Sequence, residues 1–508
     1  MINIRVNAKN LEYDIHALFK SYFPEEEITI KYAELSEESI GVPSFYDIRM
    51  TEDEVSCAYI PVNAKGNNVS EACAGNSDVK HGCTANPPNG SCELRETENV
   101  RGLERSKVKN ALKRCIYRTL RNQTGHELPW GTLTGIRPTK IPMKMQEEGN
   151  SDKEIYRYLK DTYYVSDEKA ELCMGIAGLE RKILKNIDVK DGYSLYIGIP
   201  FCPTTCLYCS FTSYPISAWK KRVDEYIGCL KKELELLYNL YNGRSPDTIY
   251  MGGGTPTTLE SGQFEDIIGY MRTLFDLDGI AEFTVEAGRP DSITEDKLRV
   301  LKSLGVTRIS INPQTMNDET LKVIGRRHTK DDIIKAFETA RKCGFDNINT
   351  DIILGLPGET AHHVRYTTEE LKKLAPDSIT VHSMAIKRAA GMAEYLKEHE
   401  ELKSINTPEM LSLVDKTARE LNMLPYYMYR QKNMTGNFEN VGYAREGCYG
   451  IYNILIMEEV QSIFACGAGT VSKRVHKNGL IERCDNVKDV ELYMRRLDEM
   501  LERKRKLF

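Results

Sequence analysis

Three closely spaced cysteines are the most informative residues of this chain. Cys202, Cys206 and Cys209 lie in the segment Gly-Ile-Pro-Phe-Cys-Pro-Thr-Thr-Cys-Leu-Tyr-Cys, a C-x3-C-x2-C pattern. Three thiolates can bind three irons of a four-iron, four-sulfur cluster and leave the fourth iron without a protein ligand. An open metal position lets another molecule bind, so the spacing predicts chemistry at the metal.

Two simpler interpretations of these cysteines are a structural zinc site and three unrelated buried thiols. Structural zinc is normally held by four protein ligands, often as two C-x2-C pairs. Here the next cysteine is Cys229, and no histidine lies close by in the sequence. The cluster is therefore the favoured interpretation.

A glycine-rich segment, Gly-Gly-Gly-Thr-Pro-Thr at 252–257, directly follows a predicted strand. Each glycine costs about 0.5–1 kcal/mol relative to alanine in regular structure. Three in a row therefore indicate a close backbone approach or left-handed dihedral angles. Together with the cysteines one strand earlier, the segment indicates a binding site.

The cysteine spacing resembles the defining motif of the radical S-adenosylmethionine (SAM) enzymes. The resemblance implies that SAM chelates the fourth iron through its amino and carboxylate groups, and that the glycine-rich segment pairs with that amino group. One electron from the reduced cluster would cleave SAM to methionine and a 5′-deoxyadenosyl radical, which abstracts a hydrogen atom. Such a protein must exclude water and oxygen and must orient one carbon towards one hydrogen.

The elements that must position these residues alternate between strands and amphipathic helices. Repeated strand–helix units predict a parallel sheet, and the resemblance implies a partial (β/α)6 barrel. The candidate residues lie at the carboxyl ends of the predicted strands, where barrels carry their active sites. The predicted strands are residues 194–199, 247–251, 282–286, 308–311, 347–354 and 378–382.

The whole chain is predicted to be an α/β protein in five parts. The sequence indicates a small α+β domain (1–62), a disordered loop (63–94), a helical linker region (95–190) with a basic helix at 99–123, the barrel (191–390), and a C-terminal extension that covers the substrate (391–508). A surface helix is expected at 487–504. The loop contains Cys73, Cys83 and Cys92, for which an accessory metal site is the alternative interpretation.

Composition limits the classes of partner. The chain has 508 residues and a net charge of −5, so no general basic field indicates nucleic acid. It contains no apolar stretch of about 18 residues, which argues against a membrane span. Its 14 cysteines, without a small secreted framework, predict a reducing cytoplasmic location. We expect a monomer.

Several longer segments carry a further resemblance: residues 196–202, 252–257, 285–290, 309–315, 324–328 and 349–360. These segments cover about half of the chain and resemble the anaerobic coproporphyrinogen III oxidase family. The long N-terminal part and residues 128–140 resemble its HemZ-type branch, a coproporphyrinogen dehydrogenase branch.

The resemblance implies roles for individual residues. Tyr196 and Glu286, the expected catalytic pair, should contact the cluster-bound SAM together with Gly253. Tyr208 matches an aromatic position beside the cluster, and Val471 matches a SAM-contacting position in the closing segment. The positions that hold a second SAM in the oxidase correspond to Gly254, Thr255, Gln314, Arg326, Asp351 and Ala385.

Structural alternatives exist for four of these residues. Arg326 could be a surface charge, and Tyr196 could belong to the core. Glu286 and Asp351 could cap helices or form structural ion pairs.

Two positions depart from the oxidase pattern. The oxidases carry a further cysteine two residues past the third cluster ligand, where this chain has Phe211. They carry a histidine two residues after the tyrosine, where this chain has Gly198. Cys-x-Phe is closer to the haem-chaperone branch of the family.

The expected function is oxidative decarboxylation of two propionates of coproporphyrinogen III, a tetrapyrrole, to give protoporphyrinogen IX. The electron donor and acceptor are unidentified. Arg289, Arg388 and Arg430 are candidates by position for binding substrate carboxylates, and ordinary surface arginines are the alternative. The tyrosine run at 426–429 could pack against the macrocycle or in the core. The alternatives are a haem-binding chaperone with a four-iron cluster and a radical methyltransferase that degrades haem.

Overall fold

The computed structural model describes residues 1–7, 10–24, 26–32, 44–61, 93–135, 137–385, 391–431 and 438–508. The chain divides into two compact units, Met1–Met174 and Gly175–Phe508. The finer boundaries predicted at 62, 94, 190 and 390 stay predictions. Cys73, Cys83 and Cys92 lie outside the described residues, as does the candidate Arg388.

The first unit places helices against one mixed sheet. Its strands are ordered β2-β1-β3-β4-β5; β1 pairs in parallel with β2 and β3, and the pairs β3–β4 and β4–β5 are antiparallel. The elements are β1 (Ile2–Val6), α1 (Glu12–Tyr22), β2 (Ile28–Tyr32), β3 (Ser44–Met50), β4 (Glu54–Pro61), β5 (Leu94–Asn99), α2 (Arg105–Thr124), α3 (Lys140–Glu147) and α4 (Asp152–Tyr163).

Alternation along the strands and helical spacing create the core of this unit. In β1, Ile4 and Val6 point to one face and are buried, whereas Arg5 points to the other. Helix α2 buries Leu112 and Ile116, four residues apart, against the same core. The predicted small α+β arrangement is therefore built on one apolar face.

The basic helix begins later than predicted, because residues 94–99 form strand β5. Arg114 donates to Glu98 of that strand, and Arg118 donates to both Glu96 (2.7 Å) and Glu98 (2.6 Å). The arginines thus lie against an acidic strand and are not a fully solvated face. Strand β5 was missed because Leu-Arg-Glu-Thr-Glu-Asn has no alternating apolar residues.

Helix α5 (Asp167–Leu184) spans the boundary between the units, and the second unit then alternates strands and helices as predicted. No helix within the described ranges is both long and apolar enough to cross a bilayer. The elements up to the last barrel strand are β6 (Tyr193–Ile199), β7 (Phe201–Cys202), β8 (Tyr214–Pro215), α6 (Ile216–Trp219), α7 (Val223–Leu240), β9 (Thr248–Gly253), α8 (Ser261–Leu274), β10 (Glu282–Glu286), α9 (Glu295–Ser303), β11 (Arg308–Ser310), α10 (Asp318–Val323), α11 (Lys330–Lys342), β12 (Ile348–Leu354), α12 (Ala361–Leu374) and β13 (Ser378–Ser383).

The C-terminal part adds further strands and helices to the same unit. These elements are α13 (Met392–Glu398), α14 (Pro408–Glu420), β14 (Leu424–Tyr429), β15 (Asn440–Ala444), α15 (Ile451–Glu458), β16 (Ser462–Cys466), β17 (Val471–Val475), β18 (Ile481–Asp485), α16 (Val490–Arg495) and α17 (Leu497–Leu507).

Strands β6 and β9 to β13 are parallel neighbours in chain order, so each strand–helix unit adds the next strand. This arrangement confirms the predicted α/β fold with a partial (β/α)6 barrel. The C-terminal extension pairs with both edges: β15 lies antiparallel to β13, and β16 lies parallel to β6. Both edges of the open parallel sheet are thereby paired.

Polar and aromatic side chains occupy one face of the barrel strands. The register aligns Tyr250 with Thr284 and Thr284 with Arg308, so these side chains share a face. The intervening positions, such as Ile249 and Val285, belong to the large apolar core that includes helix residues. A barrel whose inner face is polar indicates a binding chamber, since small barrels are usually filled by aliphatic side chains.

Helix α15 lies beneath this polar face, at the amino ends of the strands. The Tyr452 N–H donates to the Glu282 carboxylate at 3.0 Å, where β10 begins. Its ring stacks on Tyr250, with ring centroids 4.8 Å apart. The extension thus supplies part of the barrel floor.

The predicted helix at 487–504 is two helices, because the backbone leaves helical geometry at Arg496 (φ −109°, ψ 24°). The break directs side chains from both helices to the buried Glu233 of α7. Tyr493 donates to its carboxylate at 2.7 Å, and Lys504 forms an ion pair with it. Lys504 is therefore buried and does not belong to a basic surface.

Candidate active site

The three cysteines lie on a short loop that starts in β7. Cys202, Cys206 and Cys209 are all half-buried. The Cys209 N–H donates to the Cys206 carbonyl at 3.1 Å, and the Leu207 N–H donates to the Ile324 carbonyl at 3.0 Å. These bonds give the loop a fixed turn and attach it to the barrel.

The donor set fits an iron–sulfur cluster chemically. In the part of the chain that the structure describes, no group of three His, Cys, Asp or Glu side chains is placed to hold a single metal ion. A cubane binds each thiolate through a separate iron, so its cysteines need not converge on one point. Burial raises the pKa of Cys202, the Thr255 hydrogen bond lowers it, and the charges of Cys209 and Cys206 raise it, so the three thiols lie close enough to influence one another.

Two of these sulfurs accept hydrogen bonds from side chains. Thr255 donates its hydroxyl to Cys202 Sγ at 3.5 Å, and Arg289 donates Nη1–H to Cys206 Sγ at 3.4 Å. Arg289 was expected to bind a substrate carboxylate. The structure instead places it against the cysteine loop and pairs it with Asp291 at 2.8 Å.

Arg326 and Tyr208 meet beside the same loop. The guanidinium donates to the Tyr208 hydroxyl at 2.8 Å and to the carbonyls of Gly288 (2.9 Å) and Asn312 (2.6 Å). Arg326 is buried, so the alternative of a surface charge is wrong. Sequence analysis placed both residues at the site but did not identify their contact, because they are 118 positions apart.

Glu286 lies beneath the glycine-rich segment, next to three tyrosines. Tyr250 donates its hydroxyl to Glu286 Oε1 at 2.7 Å, and the Tyr196 ring stacks on Tyr250 and Tyr452 with centroids 6.2 and 6.1 Å apart. Burial raises the pKa of Glu286 to about 7 against the opposing Tyr250 hydrogen bond. The carboxylate is thus poised to change protonation near neutral pH.

Asp351 forms a second polar group with Tyr429 of the tyrosine run and with His382 and Asn349, which sequence analysis did not single out. His382 Nε2 lies 3.7 Å from its carboxylate, Tyr429 lies 3.3 Å from His382 Nδ1, and Asn349 donates to Asp351 at 2.7 Å. Burial is the largest single influence and raises the pKa of Asp351, but the interactions with His382, Asn349 and Arg308 together leave that pKa lowered. His382 lies near the carboxyl end of the sixth barrel strand, and this position was the signal that could have identified it.

The glycine-rich segment requires glycine for steric reasons. Gly253 has φ +106°, and a Cβ on Gly254 would lie 2.6 Å from the Phe201 carbonyl oxygen. The Gly254 and Thr255 N–H groups donate to the carbonyls of Ile199 and Phe201 at 2.8 and 2.7 Å. The segment is therefore held against the strand that leads into the cysteine loop.

The remaining predicted residues differ in position. Gln314 is buried with a left-handed backbone (φ 68°), and its N–H and carbonyl bond to Asp351 and Ile353. Ala385 is half-buried just past β13. Val471 is 40% exposed, so its predicted SAM contact stays a prediction.

The closing segment reaches the first barrel strand at Gly198. A Cβ on Gly198 would lie 2.5 Å from the Thr470 methyl group. A histidine, which the oxidases carry at this position, would therefore require the Thr470 side chain to move.

Two other substrate candidates are buried. Arg430 is 5% exposed, and burial lowers its pKa to about 10 although Glu439 opposes the shift. Tyr426, Tyr427 and Met428 of β14 are also buried, and Tyr426 and Tyr427 belong to one apolar cluster. The core interpretation therefore fits the first three residues of the tyrosine run.

Comparison with known proteins connects these features to a family. The profile of the radical SAM superfamily matches residues 196–371. The oxygen-independent coproporphyrinogen-III oxidase-like protein HemZ of Bacillus subtilis is 40% identical over 402 residues, which cover 78% of this chain and 80% of HemZ. This chain belongs to the HemZ family of radical SAM proteins. Members of this superfamily generally bind a four-iron cluster and SAM.

Other relatives match a shorter stretch. The haem chaperone HemW of B. subtilis is 39% identical over 196 residues, covering 38% of this chain and 50% of HemW. The oxygen-independent coproporphyrinogen III oxidase of Escherichia coli is 31% identical over 192 residues, covering 38% of this chain and 42% of the oxidase. The E. coli coproporphyrinogen III oxidase structure aligns with TM-score 0.49 and 22% identity over 64% of this chain and 73% of that chain.

Proposed function

We propose that this HemZ-family protein catalyses the oxygen-independent oxidative decarboxylation of coproporphyrinogen III to protoporphyrinogen IX. The observation that carries the proposal is the convergence of the cysteine loop, the glycine-rich segment and Glu286 at one rim of a polar barrel. The oxidase named among the relatives supports the choice of substrate.

The residues of the rim fit the cofactors of the superfamily. Cys202, Cys206 and Cys209 would hold a four-iron cluster, and Tyr196, Gly253 and Glu286 would contact the SAM bound to it. When bound, cluster and SAM supply a carbon radical that abstracts hydrogen. A second SAM would use Gly254, Thr255, Gln314, Arg326, Asp351 and Ala385. Val471 would contact SAM from the closing segment, and Tyr208 would lie beside the cluster.

Glu286 has a definite role in this proposal. Its ionised carboxylate would accept charge-assisted hydrogen bonds from a ribose hydroxyl or an ammonium group of SAM. Tyr250 already donates to one of its oxygens at 2.7 Å, which fixes the direction of the other. The surrounding tyrosine rings partly shield this carboxylate from solvent, which would strengthen such bonds.

The reaction requires a redox partner. Loss of a hydrogen atom from the propionate β-carbon, followed by loss of CO2, forms the vinyl group and leaves one electron for an external acceptor. We propose that donor and acceptor are separate molecules. We also propose a reducing compartment, the cytoplasm, which suits a chain with 14 cysteines and an iron–sulfur cluster.

An anaerobic assay with reductant, SAM and coproporphyrinogen III tests the proposal. The expected products are methionine, 5′-deoxyadenosine, CO2 and protoporphyrinogen IX. Cys206→Ser should abolish all of them, whereas Cys229→Ser, which alters a half-buried thiol of α7 outside the loop, should retain activity. SAM cleavage by the wild type without decarboxylation would reject this substrate.

A haem-binding chaperone is the second candidate, favoured by one residue. Phe211 is 70% exposed two positions after Cys209, where the oxidases carry a cysteine. The chaperone HemW is also among the relatives. Haem binding at one equivalent per chain and transfer to an apoprotein, without porphyrin turnover, would support this function over the first.

A further inference from the structure

The hydrogen bonds to the cysteine sulfurs come from two different strand–helix connections. Thr255 follows β9, and Arg289 follows β10. Each side chain is only 3% exposed. They donate to different sulfurs, Cys202 at 3.5 Å and Cys206 at 3.4 Å.

Hydrogen bonds fix the orientation of the Arg289 guanidinium. Nε–H donates to Asp291 at 3.0 Å; Nη1 donates to the Thr204 carbonyl (3.3 Å) and Cys206 Sγ; Nη2 donates to the Thr204 hydroxyl (3.0 Å) and Asp291 (2.8 Å). A guanidinium has five N–H donors, and all five are used. Arg289 therefore has no donor left for a substrate carboxylate.

Thr255 is fixed in a similar way. Its N–H donates to the Phe201 carbonyl at 2.7 Å, and its own carbonyl accepts from the Thr258 N–H at 2.9 Å and hydroxyl at 2.7 Å. The backbone therefore holds the hydroxyl beside Cys202 independently of any ligand.

We propose that Thr255 and Arg289 are positioning residues that raise the reduction potential of the cluster. This inference rests on the proposed role of the three cysteines as cluster ligands. Reduction adds one electron to the cluster and makes its sulfurs better hydrogen-bond acceptors. Donors aimed at those sulfurs therefore stabilise the reduced state more than the oxidised state. Asp291 neutralises much of the Arg289 charge, so the N–H donor carries most of the effect.

A dithionite titration of the reconstituted full-length protein, followed by electron paramagnetic resonance without SAM or tetrapyrrole, tests the proposal. Thr255→Val keeps the side-chain shape and removes the hydroxyl. Arg289→Met removes the donor, and Arg289→Lys restores one donor and the charge. At a fixed potential, Arg289→Met should lower the ratio of reduced to oxidised cluster about tenfold, which is equivalent to about 59 mV for a one-electron couple. Thr255→Val should lower this ratio about threefold. The ratio for Arg289→Lys should lie between those of Arg289→Met and the wild type.

Two control variants separate this effect from general loss of structure. Thr284→Val removes a buried hydroxyl that donates to Glu282 at 2.5 Å, and Arg299→Gln removes an exposed arginine of α9. Both should titrate as wild type. Iron and sulfide content must match among the samples. If Arg289→Met assembles no cluster, the isosteric Thr255→Val still allows its reduction potential to be compared with that of the wild type.

Unchanged potentials in Thr255→Val and in Arg289→Met or Arg289→Lys would overturn the proposal, as would a rise in either. The titration needs no substrate. Its outcome therefore does not depend on whether the protein decarboxylates coproporphyrinogen III. Failure of the wild type to assemble a cluster would reject the proposed ligands and this inference together.

Discussion

Glu286 should make SAM binding depend on pH near neutrality. Its pKa is raised to about 7 by burial, so the carboxylate is largely protonated below pH 7 and ionised above it. Only the ionised form accepts two hydrogen bonds freely, so SAM affinity should increase as the pH rises from 6 to 8. Glu286→Gln should bind SAM about tenfold more weakly at pH 8 and lose the pH dependence. Anaerobic equilibrium dialysis with labelled SAM measures both.

Tyr250→Phe and Tyr452→Phe are a matched pair of variants that test this prediction. Tyr250→Phe removes the donor to Glu286 and should shift the binding transition to higher pH, because the ionised form loses a hydrogen bond. Tyr452→Phe removes a hydroxyl from the ring stacked on Tyr250 and should leave the transition in place. Equal affinity of wild type at pH 6 and pH 8 would contradict the assignment of Glu286.

His328 should make the protein sensitive to acid. It is 4% exposed, and among the described residues neither ring nitrogen has a hydrogen-bond partner. Burial, followed by the charges of Arg326 and Arg289, lowers its pKa from 6.5 to about 3. The unfolded chain therefore binds a proton that the folded chain excludes, and stability is lost as the pH falls below 6.5.

The expected loss at pH 5 is about 2 kcal/mol in the free energy of unfolding. His328→Phe should unfold at more similar urea concentrations at pH 5 and pH 7 than the wild type does. The exposed His362→Gln should behave as wild type. A wild-type difference that persists in full in His328→Phe would assign the acid sensitivity to other groups.

At the residue scale, local motifs identify ligands but not their partners. The cysteines, the glycines and Glu286 could be named because each lies in a short segment with its own chemical logic. The contacts of Arg289 with Thr204 and Cys206 join residues 85 and 83 positions apart, and the Tyr250–Glu286 bond spans 36. Such pairs depend on strand order and register, which local spacing does not encode.

The two C-terminal helices should be the elements most sensitive to loss of one charge. Glu233 is fully buried and accepts from Lys504, from Tyr493 and from the Gly467 N–H at 2.6 Å. Lys504→Met leaves the carboxylate without a cation and should cost about 3–5 kcal/mol of unfolding free energy. Chemical denaturation measures the loss.

Removal of both charges should be better tolerated than removal of one. The double variant Glu233→Gln/Lys504→Met leaves no buried charge and should regain at least half of the stability lost by Lys504→Met. The exposed Lys506→Met, in the same turn of α17, should change stability by less than about 0.5 kcal/mol. A double variant as unstable as the single one would show that the amide fails to replace the carboxylate.

At the element scale, prediction succeeded where burial dominates. The six barrel strands are apolar on their outer face and are followed by amphipathic helices, so both their type and their order were predictable. Strand β5 lacks that signal, since its stability depends on cross-strand pairing and on Arg114 and Arg118 of α2. The break at Arg496 depends on a buried carboxylate more than 250 positions earlier in the chain.

The whole molecule should unfold in two calorimetric transitions, because each compact unit contains its own apolar core. Ile48 in the first unit and Ile309 in the second are both fully buried. Ile48→Ala and Ile309→Ala should each cost about 2–5 kcal/mol, and each should lower a different transition temperature. Scanning calorimetry checks this; a single transition that both variants shift equally would show one cooperative unit.

Helix α15 covers the barrel at the amino ends of its strands. Tyr452 lies against Tyr250 and Glu282, at the end of the strands opposite the cysteine loop. Under the proposed function, SAM cleavage products formed between this end and a bound tetrapyrrole would dissociate after the tetrapyrrole and would delay the next turnover.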